Sequence, residues 1–529
     1  MIFSPSKTAK DQLVKTISKN SFFTLLYHSW YLGSRLLLTP VLLTYLSIEE
    51  FGLWGFCFLI LGYLGVTAVG FNGTYIKYTA EYMARAEKDK VNDLITTGLV
   101  VMGTFSLVTL PLLYFFLPYI LSLLGIEQEY LAMANHLFFG TAFVFILNFS
   151  LGGFQGILEG EQRIDLVRKI QLTASVIEIV AILVFFNNGV GIYSLLWAYA
   201  IRVIVIAGLS IWFAYKVFPF LTMRFGNFKK ETLKIFFRFG THLQIISFLS
   251  LLMNSLDRIF ISRLLPLDSL GLYEAGRKLP NSGLMLSGAL SGTLMPVVAH
   301  LGGNQEKQRV SQVYLMATRY LMILTAIPFA FLMFFTPQLI YVWLGNGYIQ
   351  VATIAQVLAL GTLVNLFTGI GTACVKGNGK PVYEIKYLML AVTCNLALIY
   401  PMTSHLGIIG AAWAYTLSQI VGSIYFLILA NRLFEVSWDR FTKLVIMPVA
   451  GLFLLCVPLI YFVGWQWTEQ GMTRWHGLGV LSLAFLGYLV LIMTVSLLCR
   501  NIFLDPVEKK WLGGFKIFPK LKIAGETAW

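Results

Sequence analysis

The chain has 529 residues, of which 57% are hydrophobic and only 12% charged, and a mean hydropathy of +0.76. A soluble domain carries roughly 25% charged residues, so this composition excludes a protein with much water-soluble mass. The formal charge of +14 is explained first by topology, because cytoplasmic loops of membrane proteins collect Lys and Arg.

In chain order, apolar runs long enough to cross a bilayer predict fourteen spans. They lie at 22–46, 53–74, 94–124, 131–158, 166–187, 190–215, 240–264, 270–299, 311–343, 350–375, 384–404, 407–431, 442–463 and 477–499. The fold class expected is therefore an all-α polytopic membrane protein. No series of alternating ten-residue strands suggests a barrel. The basic N-terminus precedes an apolar stretch long enough for a retained first span rather than a cleaved signal. The cysteines (Cys57, Cys374, Cys394, Cys456 and Cys499) fall in or at the ends of spans and form no CxxC pair, so neither zinc nor a disulfide framework is indicated.

Charge gives an orientation. One alternating set of loops holds Lys77, Arg85, Lys88 and Lys90, then Arg163, Arg168 and Lys169, and later Lys376, Lys380 and Lys386. The opposite set holds Glu49, Glu50, Glu127, Glu129, Asp268 and Glu469, with Arg474 as its one clear base. Both termini are thus expected in the cytoplasm. The tail WLGGFKIFPKLK mixes aromatics with lysines and suits a segment resting on the cytoplasmic leaflet, or a disordered basic tail.

An internal repeat organises the first twelve spans. LSIEEFGLW (Leu46–Trp54) matches LPLDSLGLY (Leu265–Tyr273), 219 residues on. Glu87-Lys88 matches Glu306-Lys307, Leu124-Gly125 matches Leu344-Gly345, and EGEQR (Glu159–Arg163) matches KGNGK (Lys376–Lys380). GIYSLLWAY (Gly191–Tyr199) matches GIIGAAWAY (Gly407–Tyr415). Six spans per unit is an even number, so the two halves run the same way, about an axis along the membrane normal. The expected division is an N-lobe at 1–219, a C-lobe at 220–434, and two extra spans with the tail at 435–529. Two such halves around a central site form an alternating-access architecture.

Charged residues inside spans point to that site, because a charge facing lipid is expensive and normally turns to a bundle interior or a wet cavity. Gln244, Ser247, Leu251, Asn254 and Arg258 form one stripe on a helix, with Asp257 beside it. On the next span Glu274, Arg277, Lys278 and Asn281 share a side. Arg35, Glu178, Arg202 and Arg319 are further intramembrane charges. Structural readings stand beside the functional one: an internal Asp257–Arg258 pair, snorkelling or pairing of Arg202 and Arg319, and packing histidines at His28, His136 and His242. Gly70, Gly73, Pro280 and Pro296 read as kinks, close contacts or hinges. The sum is a net cationic, wet cavity suited to an anion, with Arg forks matching phosphate oxygens. An amphiphile with a phosphate head would use it while its tail stays in the bilayer.

The segments SRLLLTPVLLTYLSIEEFGLW (Ser34–Trp54), YTAEYMARAEKDK (Tyr78–Lys90) and DRIFISRLLPLDSLGLYEAGRKL (Asp257–Leu279) resemble the Wzx-type polysaccharide and O-antigen flippases of the multidrug/oligosaccharidyl-lipid/polysaccharide exporter superfamily. The resemblance covers the whole chain in span number and repeat. It implies a bacterial inner-membrane flippase, not an enzyme, that moves an undecaprenyl-diphosphate-linked oligosaccharide to the outer leaflet. The substrate ligands expected are Arg35, Arg258, Arg277, Lys278, Asn254 and Asn281. No cofactor is expected beyond a coupling proton or sodium ion, for which Glu178, Asp257 and Glu274 are the candidates. A polysaccharide polymerase complex is a candidate partner.

Three other readings remain open at this stage. A lipid II flippase would carry a characteristic N-terminal pattern that is not found. A multidrug exporter of the same superfamily favours an acidic cavity for organic cations. A membrane-embedded polymerase or ligase needs a sizeable outer loop with catalytic groups, and Gly464–Gly477 offers only Glu469, Arg474 and His476. A major-facilitator carrier would show a GxxxDRxGRR-like loop after span 2, and none is present. No metal cluster, nucleophile elbow or phosphate-binding loop appears either.

Overall fold

The computed structural model describes residues 7–66, 69–224, 228–238, 241–303, 307–467 and 473–498. The tail expected on the leaflet and Glu469 lie outside them. Among the described residues all regular structure is helical. The first half holds α1 (Lys7–Tyr45), α2 (Ile48–Val66), α3 (Val69–Ala84), α4 (Lys88–Leu123), α5 (Gln128–Ser150), α6 (Gly153–Gly160), α7 (Ile164–Asn187) and α8 (Tyr193–Val217). The short α9 (Lys230–Arg238) leads to α10 (Thr241–Leu264), α11 (Leu267–Gly303), α12 (Lys307–Leu344), α13 (Ile349–Leu366), α14 (Gly369–Gly377) and α15 (Val382–Leu433). A last pair follows α16 (Trp438–Phe441) and a π turn at Thr442–Ile446: α17 (Met447–Gln466) and α18 (Arg474–Leu498).

Among the described residues eleven stretches qualify as membrane spans by length and apolarity, against the fourteen expected; the spans expected in α1 and α11 are not among them. In α1 the apolar run is interrupted by His28, Ser34 and Arg35. α15 counts once although two spans were expected in it. Its 52 residues break at Gly407, where φ is 59°. The rings of Tyr387 and Phe426 lie 5.0 Å apart, and a Cβ on Gly422 would sit 2.8 Å from that of Ala391. A straight helix rises about 1.5 Å per residue and would hold such pairs tens of ångströms apart. α15 is therefore an antiparallel hairpin folded at Gly407, a turn whose left-handed backbone favours glycine.

The repeat recurs in the backbone. Gly125 and Gly345, Gln162 and Gly379, and Gly191 and Gly407 are paired by the sequence repeat, and both members of each pair have positive φ. The break between α5 and α6 at 151–152 has its counterpart between α13 and α14 at 367–368. α11 runs unbroken through Pro280 and Pro296.

α2 and α11 cross backbone to backbone. A Cβ on Gly52 would lie 2.6 Å from the Gly271 nitrogen, and one on Gly271 would lie 2.0 Å from the Ile48 oxygen. Below this crossing the seam continues through Tyr63 and Ser255, whose hydroxyls are 2.5 Å apart. A core of Leu53, Phe56, Met253, Leu270 and Tyr273 fills the junction. The crossing lies beside the acidic loops, so the halves are closed at that face. α17 and α18 attach to the second half, where Phe331 and Phe335 of α12 pack with Leu481 and Tyr488. At the opposite face α9 docks its apolar side, stacking Phe236 on Phe71 at 4.8 Å. Rows of exposed Leu, Phe and Tyr on α4 are the surface expected to face lipid.

Candidate functional site

A cavity of about 410 Å³ opens between the halves on the side of the glycine crossing away from the acidic loops. α1 supplies Tyr31 and Arg35, α2 supplies Phe51, Trp54 and Phe58, and α7 and α8 supply Glu178, Tyr199 and Arg202. The second half contributes Arg258 from α10 and Glu274, Arg277, Lys278 and Asn281 from α11. Five bases face two acids, a formal surplus of three positive charges.

Each charge is held by local chemistry. Arg35 pairs with Glu178, and the Arg202 Nε stands 3.7 Å from the same carboxylate. Both guanidiniums lie over the Tyr31 ring, at 5.1 and 5.6 Å. Arg258 Nη1 meets Glu274 Oε1 at 3.2 Å. Glu274 can stand there because residue 55 is glycine: a Cβ would come within 2.8 Å of its Cγ. The Asn254 carbonyl accepts from Arg258 Nη2 at 2.7 Å and from Arg277 Nη1 at 3.3 Å. Lys278 Nζ donates across the halves to Thr39 Oγ1 at 2.8 Å and lies 4.5 Å from the Phe51 ring centroid.

Of the expected ligands, Arg35, Arg258, Arg277, Lys278 and Asn281 line this cavity. Asn254 does not; its amide bonds Ser250 and Tyr415, and only its main chain serves the cavity bases. Asp257 is also outside the lining. It is buried, accepts the Tyr273 hydroxyl and takes the Arg258 main-chain N–H at 2.9 Å. The internal Asp257–Arg258 side-chain pair is replaced by Arg258–Glu274. Of the two acids in the lining, Glu178 and Glu274 were both coupling candidates. Arg202 joins the cavity, whereas Arg319 is buried outside its lining. The contacts of Arg35 and Arg202 with the Tyr31 ring and the Lys278–Thr39 bond were not anticipated.

Three buried donors in this group make no hydrogen bond: the Nε atoms of Arg35, Arg202 and Arg258, of which that of Arg202 keeps only the longer contact to Glu178. A buried unsatisfied donor costs about 1–3 kcal/mol, and more when charged.

A second recess, apolar and also about 410 Å³, adjoins the first. It lies between Leu25 and Leu32 of α1, Leu279 of α11, Phe329 and Leu332 of α12, and Phe485 of α18. Leu32 and Ser282 line both. Polar and apolar compartments therefore share a wall.

The same arrangement of helices occurs in solved transporters. The structure titled "Inward-facing conformation of a multidrug resistance MATE family transporter of the MOP superfamily" superposes with a TM-score of 0.64 and 16% identity, covering 79% of this chain and 98% of that one. "Lipid II flippase MurJ, inward closed conformation" gives 0.65 and 15%, covering 91% and 99%. The chain thus has the multi-pass helical fold of these transporters. Residues 17–302, more than half the chain, match the family described as polysaccharide biosynthesis protein, and the chain belongs to that family. Residues 243–401 also match the MatE family. Over 399 residues the chain is 24% identical to the "Putative O-antigen transporter" of Shigella flexneri, covering 74% of this chain and 92% of that protein. The resemblance to polysaccharide flippases carried by Ser34–Trp54 and Asp257–Leu279 is thereby shown.

Proposed function

We propose that the protein flips an undecaprenyl-diphosphate-linked oligosaccharide from the cytoplasmic to the outer leaflet of a bacterial inner membrane. The observation that carries this reading is the set of three buried guanidinium donors that make no hydrogen bond in a cavity whose wall is shared with an apolar recess. A diphosphate head meets the bases Arg35, Arg258, Arg277 and Lys278, with Asn281 beside them. The polyprenyl chain follows the recess to the bilayer, and the sugars occupy the wet part of the cavity. With both termini cytoplasmic, the closed α2–α11 crossing is the outer seal, and rocking of lobes 1–219 and 220–434 exposes the cavity outward. α17 and α18 ride on the second lobe. A proton or sodium ion drives the cycle; Glu178 and Glu274 are the acids that such an ion meets in the cavity. A polymerase that consumes the flipped lipid is the natural partner.

The test is to measure lipid-linked oligosaccharide by leaflet in cells with and without the gene. Build-up of a diphosphate-linked sugar lipid on the cytoplasmic side is the result expected. An unchanged leaflet distribution, with altered sensitivity to cationic drugs instead, overturns the reading.

A further inference from the structure

A proline in the first helix leaves a carbonyl without a donor, and the other half of the molecule fills it. Residue 40 is proline, so the Leu36 oxygen one turn earlier has no helical N–H to accept. Within a bilayer such a group must find a partner inside the protein. The partner is the indole Nε1 of Trp343, in the last turn of α12, which donates to the Leu36 oxygen at 2.8 Å. Trp343 is itself gripped. Arg474, the lone base of the acidic loops, donates Nε to the Val342 oxygen at 3.0 Å and Nη2 to the Trp343 oxygen at 2.5 Å. These are carbonyls that the end of a helix leaves without helical donors.

The turn that Trp343 reaches is the one carrying Arg35. Thr39 Oγ1 donates to the Arg35 oxygen at 2.9 Å and accepts from Lys278. Within four residues, then, α1 is bonded to the second half once through a side chain and once through its main chain. We infer that Trp343 is a positioning residue for Arg35: by occupying the carbonyl that Pro40 frees, it holds the turn that aims Arg35 into the cavity. Arg474 sets Trp343 by capping α12, so α18, which lies outside the repeat, reaches the cavity through one tryptophan. The inference rests on the reading of Arg35 as a phosphate ligand only for its effect on transport.

Two readouts separate the claims: hydrogen exchange across residues 33–45 of the purified, substrate-free protein, and leaflet-resolved transport in cells. Trp343→Phe keeps an aromatic ring and removes the donor. It should raise exchange and lower transport about tenfold, the size of one lost buried hydrogen bond. Pro40→Ala added to Trp343→Phe returns an N–H to Leu36 and should bring both readouts back to within about threefold of wild type. A role in packing alone would not be rescued that way. Wild-type exchange in Trp343→Phe, or no rescue by Pro40→Ala, overturns the inference. If exchange behaves as expected while the wild-type protein moves no lipid-linked oligosaccharide, the inference stands and the proposed function fails. Should Trp343→Phe not accumulate, Arg474→Ala carries the test: faster exchange at 33–45 supports it and unchanged exchange overturns it.

Discussion

Gly52 and Gly271 hold the same place in their two repeats, and they touch. Residues related by a two-fold rotation meet only at its axis. The pseudo-two-fold axis of the parallel halves therefore passes through the α2–α11 crossing, directly above the cavity. Any side chain there would meet main chain, which cannot swing aside.

Gly271→Ala should separate the two helices, because its Cβ would stand 2.0 Å from the Ile48 oxygen. Overpacking of this kind costs about 1–3 kcal/mol. Thermal stability should fall, and a cysteine placed at Ser269 should react faster with an impermeant maleimide. Gly288→Ala, on the same helix, is the control, since among the described residues nothing lies within 4 Å of its Cβ. Equal behaviour of the two variants would remove the crossing as a seal.

Arg35→Ala with Lys278→Ala should abolish export while the protein still accumulates. Charge-assisted hydrogen bonds contribute about 1.5–3 kcal/mol each, so two losses correspond to at least about a hundredfold. Normal export by this double variant would sink the assignment of the site.

The Arg258–Glu274 pair makes a thermodynamic cycle possible. Both side chains are nearly buried, and removal of one partner from such a pair typically costs about 3–5 kcal/mol. Glu274→Gln should therefore destabilise strongly, and Arg258→Met added to it should recover part of the loss. Strictly additive unfolding energies would mean that the two side chains do not support each other.

At the opposite face Asn20 ties α1 to α7. Its Nδ2 donates to the Gln162 oxygen at 3.0 Å, and its Oδ1 accepts the Asp165 N–H at 2.9 Å, satisfying a donor in the first turn of α7. The neighbouring Lys19–Asp165 contact, 2.7 Å, is half in solvent on the lysine side. Asn20→Ala should lower stability by about 1 kcal/mol, as loss of a cap does, and Lys19→Ala by less. A larger effect from Lys19→Ala in thermal unfolding would reverse that ranking.

Periodicity and repetition made the frame readable from the chain itself. Gly191 and Gly407 match in sequence and both turn out to make left-handed turns, because such turns favour one residue type. Arg35, Glu178, Glu274 and Lys278 could be picked out because a charge inside an apolar run needs a reason. Which charge meets which could not. Asp257 and Arg258 are neighbours in sequence, yet successive helical residues point about 100° apart, so one faces Tyr273 and the other Glu274. Trp343 and Leu36 are 307 residues apart, and only folding brings them together. Pro40 was the available sign, since it guarantees an acceptor in search of a donor.

The acids in the cavity have a consequence for turnover. Glu178 already engages Arg35, and Glu274 already engages Arg258. On the proposed function, an arriving anionic headgroup would not meet bare cations; it would compete with carboxylates already paired to them. When such a cargo left, those carboxylates would take back their partners, so the walls of the site would assist release. A carrier that held its cargo too well would stop after one passage, and the two glutamates would give this cavity a way to let go.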